Sequence, residues 1–229
     1  MTSAKQIKHI FKPLINRHAD LTEIGSHWLY ISPIRHVALR ILIDRTSDKN
    51  LCKPQLTMLN TFIPDVQPQT SIGYSIQLDR PSLSHQHWYW SDPEMIADLV
   101  SSIETEGLPR LRAIDSLEAF WTIYDGSDHI FAQQWPEDRM ICLIALGDID
   151  AARAICETLE PELRGDSFPN DIWVQNRRRK FLAVAEPLRV GDRVTLATIL
   201  HGWEADNIRG TKLEPYWEPT PFPLERSST

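Results

Sequence analysis

The spacing of apolar residues changes character several times along the chain. Ile7, Ile10, Phe11, Leu14 and Ile15 recur at helical intervals, which predicts an amphipathic helix from Ala4 to Arg17. Beyond Gly25 the period falls to two. Val37, Leu39, Ile41 and Ile43 alternate with Ala38, Arg40, Leu42 and Asp44, the pattern of a half-buried strand, with Trp28–Ile31 as its partner. Residues 56–63 (LTMLNTFI) predict a third strand. Residues 70–79 (TSIGYSIQLD) predict a fourth that sets Ile72, Tyr74, Ile76 and Leu78 on one side. The short connections make these an antiparallel meander.

Residues 84–93 read SHQHWYWSDP. In an extended segment Trp88 and Trp90 share one face with Gln86, while His85, His87 and Tyr89 share the other. Two imidazoles at i and i+2 on a strand can converge on a metal, but a metal needs further ligands. The pair resembles the HxH of cupin barrels in those two letters alone, and Glu94 lies too far along, across Pro93. An outward-facing polar strand edge is therefore the reading here. His85, His87 and Tyr89 remain binding candidates, with no metal and no cofactor assigned.

Ser91 and Glu94 then form a capping box with Pro93 in the first turn, opening a helix that carries Ile96, Leu99, Val100 and Ile103 and ends at Gly107. LPRLRAI is a short link. Asp115 and Glu118 make a second capping box for a helix whose Leu117, Phe120, Trp121 and Tyr124 form an aromatic core stripe. From Gln134 onward the pattern is helical. WPEDRMICLIALGDIDAARAICETLEP predicts a helix hairpin, with Gly147 as the stop and Asp148 as the next N-cap. Its LGDIDAA turn resembles one unit of a tetratricopeptide array, without the second copy that an array needs.

A further helix is expected from Asp171 to Ala185, with Trp173, Val174, Phe181, Val184 and Leu188 marking its buried arc. Arg177, Arg178, Arg179 and Lys180 fan around its axis rather than lining one face. Arg177 projects inside the arc, either paired with a carboxylate of the chain or holding a carboxylate ligand. KLEPYWEPTPFPLERSST interleaves four prolines with Tyr216, Trp217 and Phe222, so an extended arm is expected, ordered over residues 213–223 and packed on the helical half. The arm could instead cross to a neighbouring subunit of a homo-oligomer.

The fold class is thus α+β: an N-terminal helix, an antiparallel sheet of four to five strands, then a mostly helical C-terminal half. The expected division is an α+β domain over residues 1–130, a helical extension over 131–206 and a proline-rich arm over 207–229. The order of helix, WLYISPIRHVALRILID, sheet, and a helix leading through EGLPRLRAIDSLEAFW resembles an uncharacterised bacterial family, domain of unknown function forty-three-oh-four, over about residues 4–125. That resemblance implies a fold and brings no catalytic residues with it.

Composition narrows the function. At 42% hydrophobic and 24% charged the chain is of globular type. A formal charge of -7 disfavours nucleic acid and anionic membranes, and the fanned basic run supplies no stripe for phosphates. No apolar run reaches signal-peptide or membrane-span length. Cys52, Cys142 and Cys156 form no CxxC and are expected as buried thiols of a cytoplasmic protein. No GxSxG, phosphate loop or HExxH is present. The leading expectation is a non-enzymatic bacterial protein-interaction domain, of immunity or adaptor type, with another protein as its partner. The alternative is a metal-dependent hydrolase using His85 and His87.

Overall fold

Ser3 opens the first helix, α1 (Ala4–Arg17), with a capping box: its hydroxyl accepts the Gln6 amide at 3.3 Å and the Gln6 side chain accepts the Ser3 amide at 2.8 Å. Ile7, Ile10, Phe11 and Leu14 are buried on the face the spacing marks. The computed structural model describes residues 2–44, 46–64, 66–67, 71–80, 87–125, 136–164 and 172–226. These fall into two units, one of Met1–Asn60, Gln67–Asp115 and Ile208–Glu218, the other of Thr61–Val66, Ser116–Asn207 and Pro219–Thr229.

The first unit is built on an antiparallel sheet of β1 (Leu21–Glu23), β2 (Trp28–Ile31), β3 (Val37–Asp44), β4 (Leu51–Asn60) and β5 (Tyr74–Gln77) in that order, with β6 (Trp88–Tyr89) also pairing β4. The α+β class and the helical C-terminal half are as the sequence predicts. The longest ladder runs from Val37 opposite Asn60 to Asp44 opposite Lys53. Strand β4 starts earlier than its alternation indicates because Pro54 hides it. The Pro54 carbonyl accepts from Leu78 at 3.1 Å, so its missing N–H falls on that same side, between the stretch paired with β5 and the stretch paired with β6. The sheet loses little there.

Strand β3 is not half-buried. Both faces are covered from Arg40 to Ile43, while Val37 and Leu39 are partly exposed. Strand β5 is shorter than expected, since Gly73 takes φ +70 and leaves Ile72 outside at 47% exposure. Strand β6 keeps two residues of the aromatic run. Trp88 is fully buried, its Nε1 donating to the Leu78 carbonyl at 2.8 Å.

Helix α2 (Met95–Ser102) begins later than the expected Ser91 box. Ser91 is engaged elsewhere: it exchanges hydrogen bonds of 2.8 and 3.0 Å with the Asn50 side chain, and Asp92 accepts the Glu94 amide instead. Gly107 does not end the run. The chain widens into a π-helical turn (Ile103–Gly107), where Leu108 donates to the Ile103 carbonyl, and continues as α3 (Leu108–Arg112) through the expected link. A Cβ at Gly107 would lie 3.2 Å from Leu56, so the glycine serves close approach of helix to sheet.

In the second unit α4 (Leu117–Asp125) is capped by Ser116, whose hydroxyl accepts the Ala119 amide at 3.1 Å, rather than by Asp115. Then come α5 (Pro136–Leu146), α6 (Ile149–Arg164), α7 (Ile172–Val190) and α8 (Arg193–Ile208). Helix α7 runs on past Ala185 and carries Pro187 inside it, giving up one i to i−4 hydrogen bond close to its end. The hairpin of α5 and α6 closes as expected: Gly147 takes φ +84, Asp148 donates to the Leu143 carbonyl, and Ala151 donates to the Asp148 carboxylate. A second hairpin repeats it. Gly191 takes φ +72, Asp192 donates to the Pro187 carbonyl, and Thr195 donates to the Asp192 carboxylate. The two turns thus share one backbone and capping geometry.

The proline-rich arm does not pack as one piece. Residues 213–218 join the first unit, where Ile34 donates to Tyr216 and accepts from Glu218 at 2.8 and 2.9 Å. Ile34 offers a backbone edge that an extended segment can satisfy, and that draws Trp217 away from the helices. Phe222 does enter the helical unit, fully buried, 5.3 Å from the Phe62 ring.

Two glycines make a controlled pair. Gly73 and Gly210 share a left-handed φ, but a Cβ on Gly73 would meet the Met58 carbonyl oxygen at 2.3 Å, whereas nothing lies within 4 Å of Gly210. In urea unfolding, Gly210→Ala should cost about 1–2 kcal/mol from backbone strain alone. Gly73→Ala should cost more, by at least about 1 kcal/mol, since the ladder must also shift.

Candidate functional site

The histidine pair is only partly visible. His85 lies outside the described residues. His87 is exposed on the segment entering β6, with its ring edge-on to Tyr89 at 6.2 Å. Among the described residues, no three His, Cys, Asp or Glu side chains gather as a metal would require.

Arg177 is held by the chain's own acids. Its Nε donates to Glu137 at 3.0 Å and its Nη1 to Glu162 at 2.8 Å. Burial works against its charge, but the two carboxylates prevail and its pKa is raised. Lys180 donates to Asp138 at 2.9 Å. Within the basic run, Arg177 and Lys180 are thus tied to intramolecular carboxylates. Among the described residues the second oxygen of the buried Glu137 has no hydrogen-bond partner, so this carboxylate leans on Arg177.

Two arginines that sequence reading passed over are more deeply placed. Arg80 lies against Asp98 and Asp92, and those hydrogen bonds raise its pKa, while Arg80 lowers that of Asp92. Arg40 is fully buried on the sheet, its guanidinium 3.9 Å from the Trp28 ring centroid. Burial lowers the Arg40 pKa, with Tyr30 opposing, and burial raises that of Tyr30. The alternation had placed Arg40 as a polar residue on a half-buried strand, and nothing local signals otherwise.

A groove of about 480 Å³ opens within the helical unit, between one face of α8 and the short 3-10 turn Pro223–Glu225. Helix α8 contributes Arg193, Val194, Thr198 and His201, and the turn contributes Glu225 and Arg226. Arg193 anchors the turn, its Nε and Nη2 donating to the Leu224 carbonyl at 3.0 and 2.7 Å. A carbonyl satisfies a hydrogen bond without cancelling a charge. His201 Nε2 lies 2.7 Å from Glu225, whose same oxygen accepts the Phe222 amide. Arg226 reaches Glu118 at 2.8 Å from an exposed position. Val194 is 78% exposed at the rim. The groove thus sets two arginines, a histidine and a glutamate beside an exposed aliphatic rim. Arg193 and Arg226 lie far apart in sequence, so no motif could have announced it.

The thiols are structural. Cys52, Cys142 and Cys156 are all reduced and buried, and burial pushes Cys52 up to about 12 and raises the other two. No helix of the described residues is long and apolar enough to cross a membrane. Compared with protein-family models, with curated proteins and with solved structures, the chain finds no match in any of the three.

Arg177→Met should destabilise the protein by about 3 kcal/mol, because it strands the Glu137 carboxylate in the core. The double variant Arg177→Met/Glu137→Leu should recover most of that loss in chemical unfolding. A disulfide-exchange reagent at about pH 8 should label none of the three cysteines in the native protein and all three after unfolding, since the thiolate is the reactive form.

Proposed function

We propose that the chain is a non-enzymatic protein-interaction domain of adaptor or immunity type, acting in a reducing, cytoplasmic compartment. The observation that carries this reading is the tandem of helix hairpins, α5–α6 and α7–α8, closed by the same glycine-aspartate turn. Stacked helix hairpins are quasi-repetitive, and their outward faces vary freely while the turns and core hold the stack together. The architecture by itself is an analogy. Two further features favour it here. Helices α7 and α8 carry exposed aliphatic residues, Leu182, Val190 and Val194, where solvent-facing positions are normally polar. Arg177, the site candidate of the sequence that lies in this unit, is absorbed into structural pairs with Glu137 and Glu162. The buried reduced thiols suit the compartment.

The test begins with affinity capture on the full chain, followed by reconstitution from the purified, identified partner. The expected result is a saturable complex of fixed stoichiometry by calorimetry and light scattering, with crosslinks mapping to α7 and α8. Failure of every captured candidate to reconstitute in purified form would overturn the reading.

A further inference from the structure

The last residues of the chain sit on the helical unit as a short peptide sits on a receptor. Phe222 and Leu224 are fully buried, while Glu225 and Arg226 beside them are exposed. Phe222 lies 5.3 Å from the Phe62 ring and 4.7 Å from that of His201. A Cβ on Gly147 would come within 3.3 Å of the Leu224 Cα, so the glycine of the α5–α6 turn leaves room for the segment's backbone. Arg193 holds the Leu224 carbonyl, His201 meets Glu225, and Arg226 reaches Glu118. Two apolar anchors with a few placed polar contacts make a seat for an extended peptide.

The stretch leading into this seat is built differently. Glu218, Pro219 and Pro221 are exposed and belong to no helix or strand. Prolines at alternate positions keep such a linker extended rather than folded back. The groove of about 480 Å³ runs along the turn on its α8 side, so open space borders the seat.

We infer that residues 219–226 exchange between two copies of the chain, each copy's Phe222 and Leu224 filling the seat of the other. The occupant is given by what is already seated there, and a second copy carries that sequence. Such an exchange repeats the contacts of the closed form and is reciprocal, so it closes on a two-fold axis. The closed form competes through the short linker, which keeps the segment near its own seat at an effective concentration on the order of millimolar. Exchange therefore belongs to high local concentration and to refolding, and it is independent of the partner reading above.

The experiment first offers the full chain a labelled, capped peptide of residues 219–226, read by fluorescence anisotropy. Phe222→Ala weakens the seated segment, so this variant should bind the peptide at least about tenfold more tightly than the parent chain does. Arg226→Glu, an exposed change that sets two carboxylates together at Glu118, leaves the buried anchors in place and should tighten binding by about threefold. The peptide that itself carries Phe222→Ala should bind none of the three chains. The parent chain, refolded from urea at about millimolar concentration, should then give a dimer in light scattering that an excess of the peptide suppresses. No gain of binding in either variant, or binding indifferent to the phenylalanine of the peptide, would show that the segment is not a separable ligand and would overturn the inference. It falls equally if the peptide binds as described but the refolded chain stays monomeric, or if the dimer is unmoved by the peptide.

Discussion

Water is the partner a guanidinium loses most by leaving, and Arg40 has left it entirely. Its replacement is assembled from the two flanking strands and a loop. The Nε donates to Thr57 at 2.9 Å, Nη1 to the Tyr30 hydroxyl at 3.1 Å, and Nη2 to the carbonyls of Ser71 and Ile72, with the Trp28 ring against the cation. Tyr30 and Thr57 are the residues directly opposite Arg40 in β2 and β4. A slip of one residue in either pairing would turn an acceptor to the other face and leave a buried charge unsatisfied. The guanidinium therefore acts as a register pin for the central strands. It also holds the entry to β5, where Gly73 must pass close over the Met58 carbonyl.

The helical unit solves a different problem, that of amphipathic helices each too narrow to bury their apolar stripe alone. Its two glycine-aspartate turns fix how each pair of helices is joined, and small residues such as Ala145 and Ala152 let α5 and α6 approach closely. The unit also takes in the residues that follow β4. Glu204 accepts from Thr61 at 2.7 Å, and Asn207 donates to the carbonyls of Thr61 and Ile63 at 2.8 and 2.6 Å. These bonds satisfy backbone that would otherwise be buried without partners.

Legibility in the sequence followed the range of the interactions concerned. Helix α1 could be read to the residue, since its capping box and stripe are local, and the Gly147–Asp148 turn was equally plain. The second turn uses the same two residue types, but it lies beyond Ala185, where that helix was expected to stop. Ser91 had the spacing of a cap and was claimed by Asn50 from across the sheet. Arg40 was legible as a strand residue and illegible as a core one, because period-two alternation cannot say what covers the second face. The groove was the least legible feature. It forms only when Arg193 of α8 meets the backbone carbonyl of the distant Leu224.

The segment carrying Trp217 and Phe222 contributes to both units, the tryptophan beside Ile34 and the phenylalanine beside Phe62. Those partners are made early in synthesis, near residues 34 and 62, and their counterparts emerge from the ribosome only after every helix has been translated. Domains ordinarily fold in turn as the chain appears. Here the first unit waits for its last segment, Ile208–Glu218, and the second for Phe222, so each completes its packing only late in synthesis. Until then the Ile34 backbone edge and the Phe62 ring lack these two contacts.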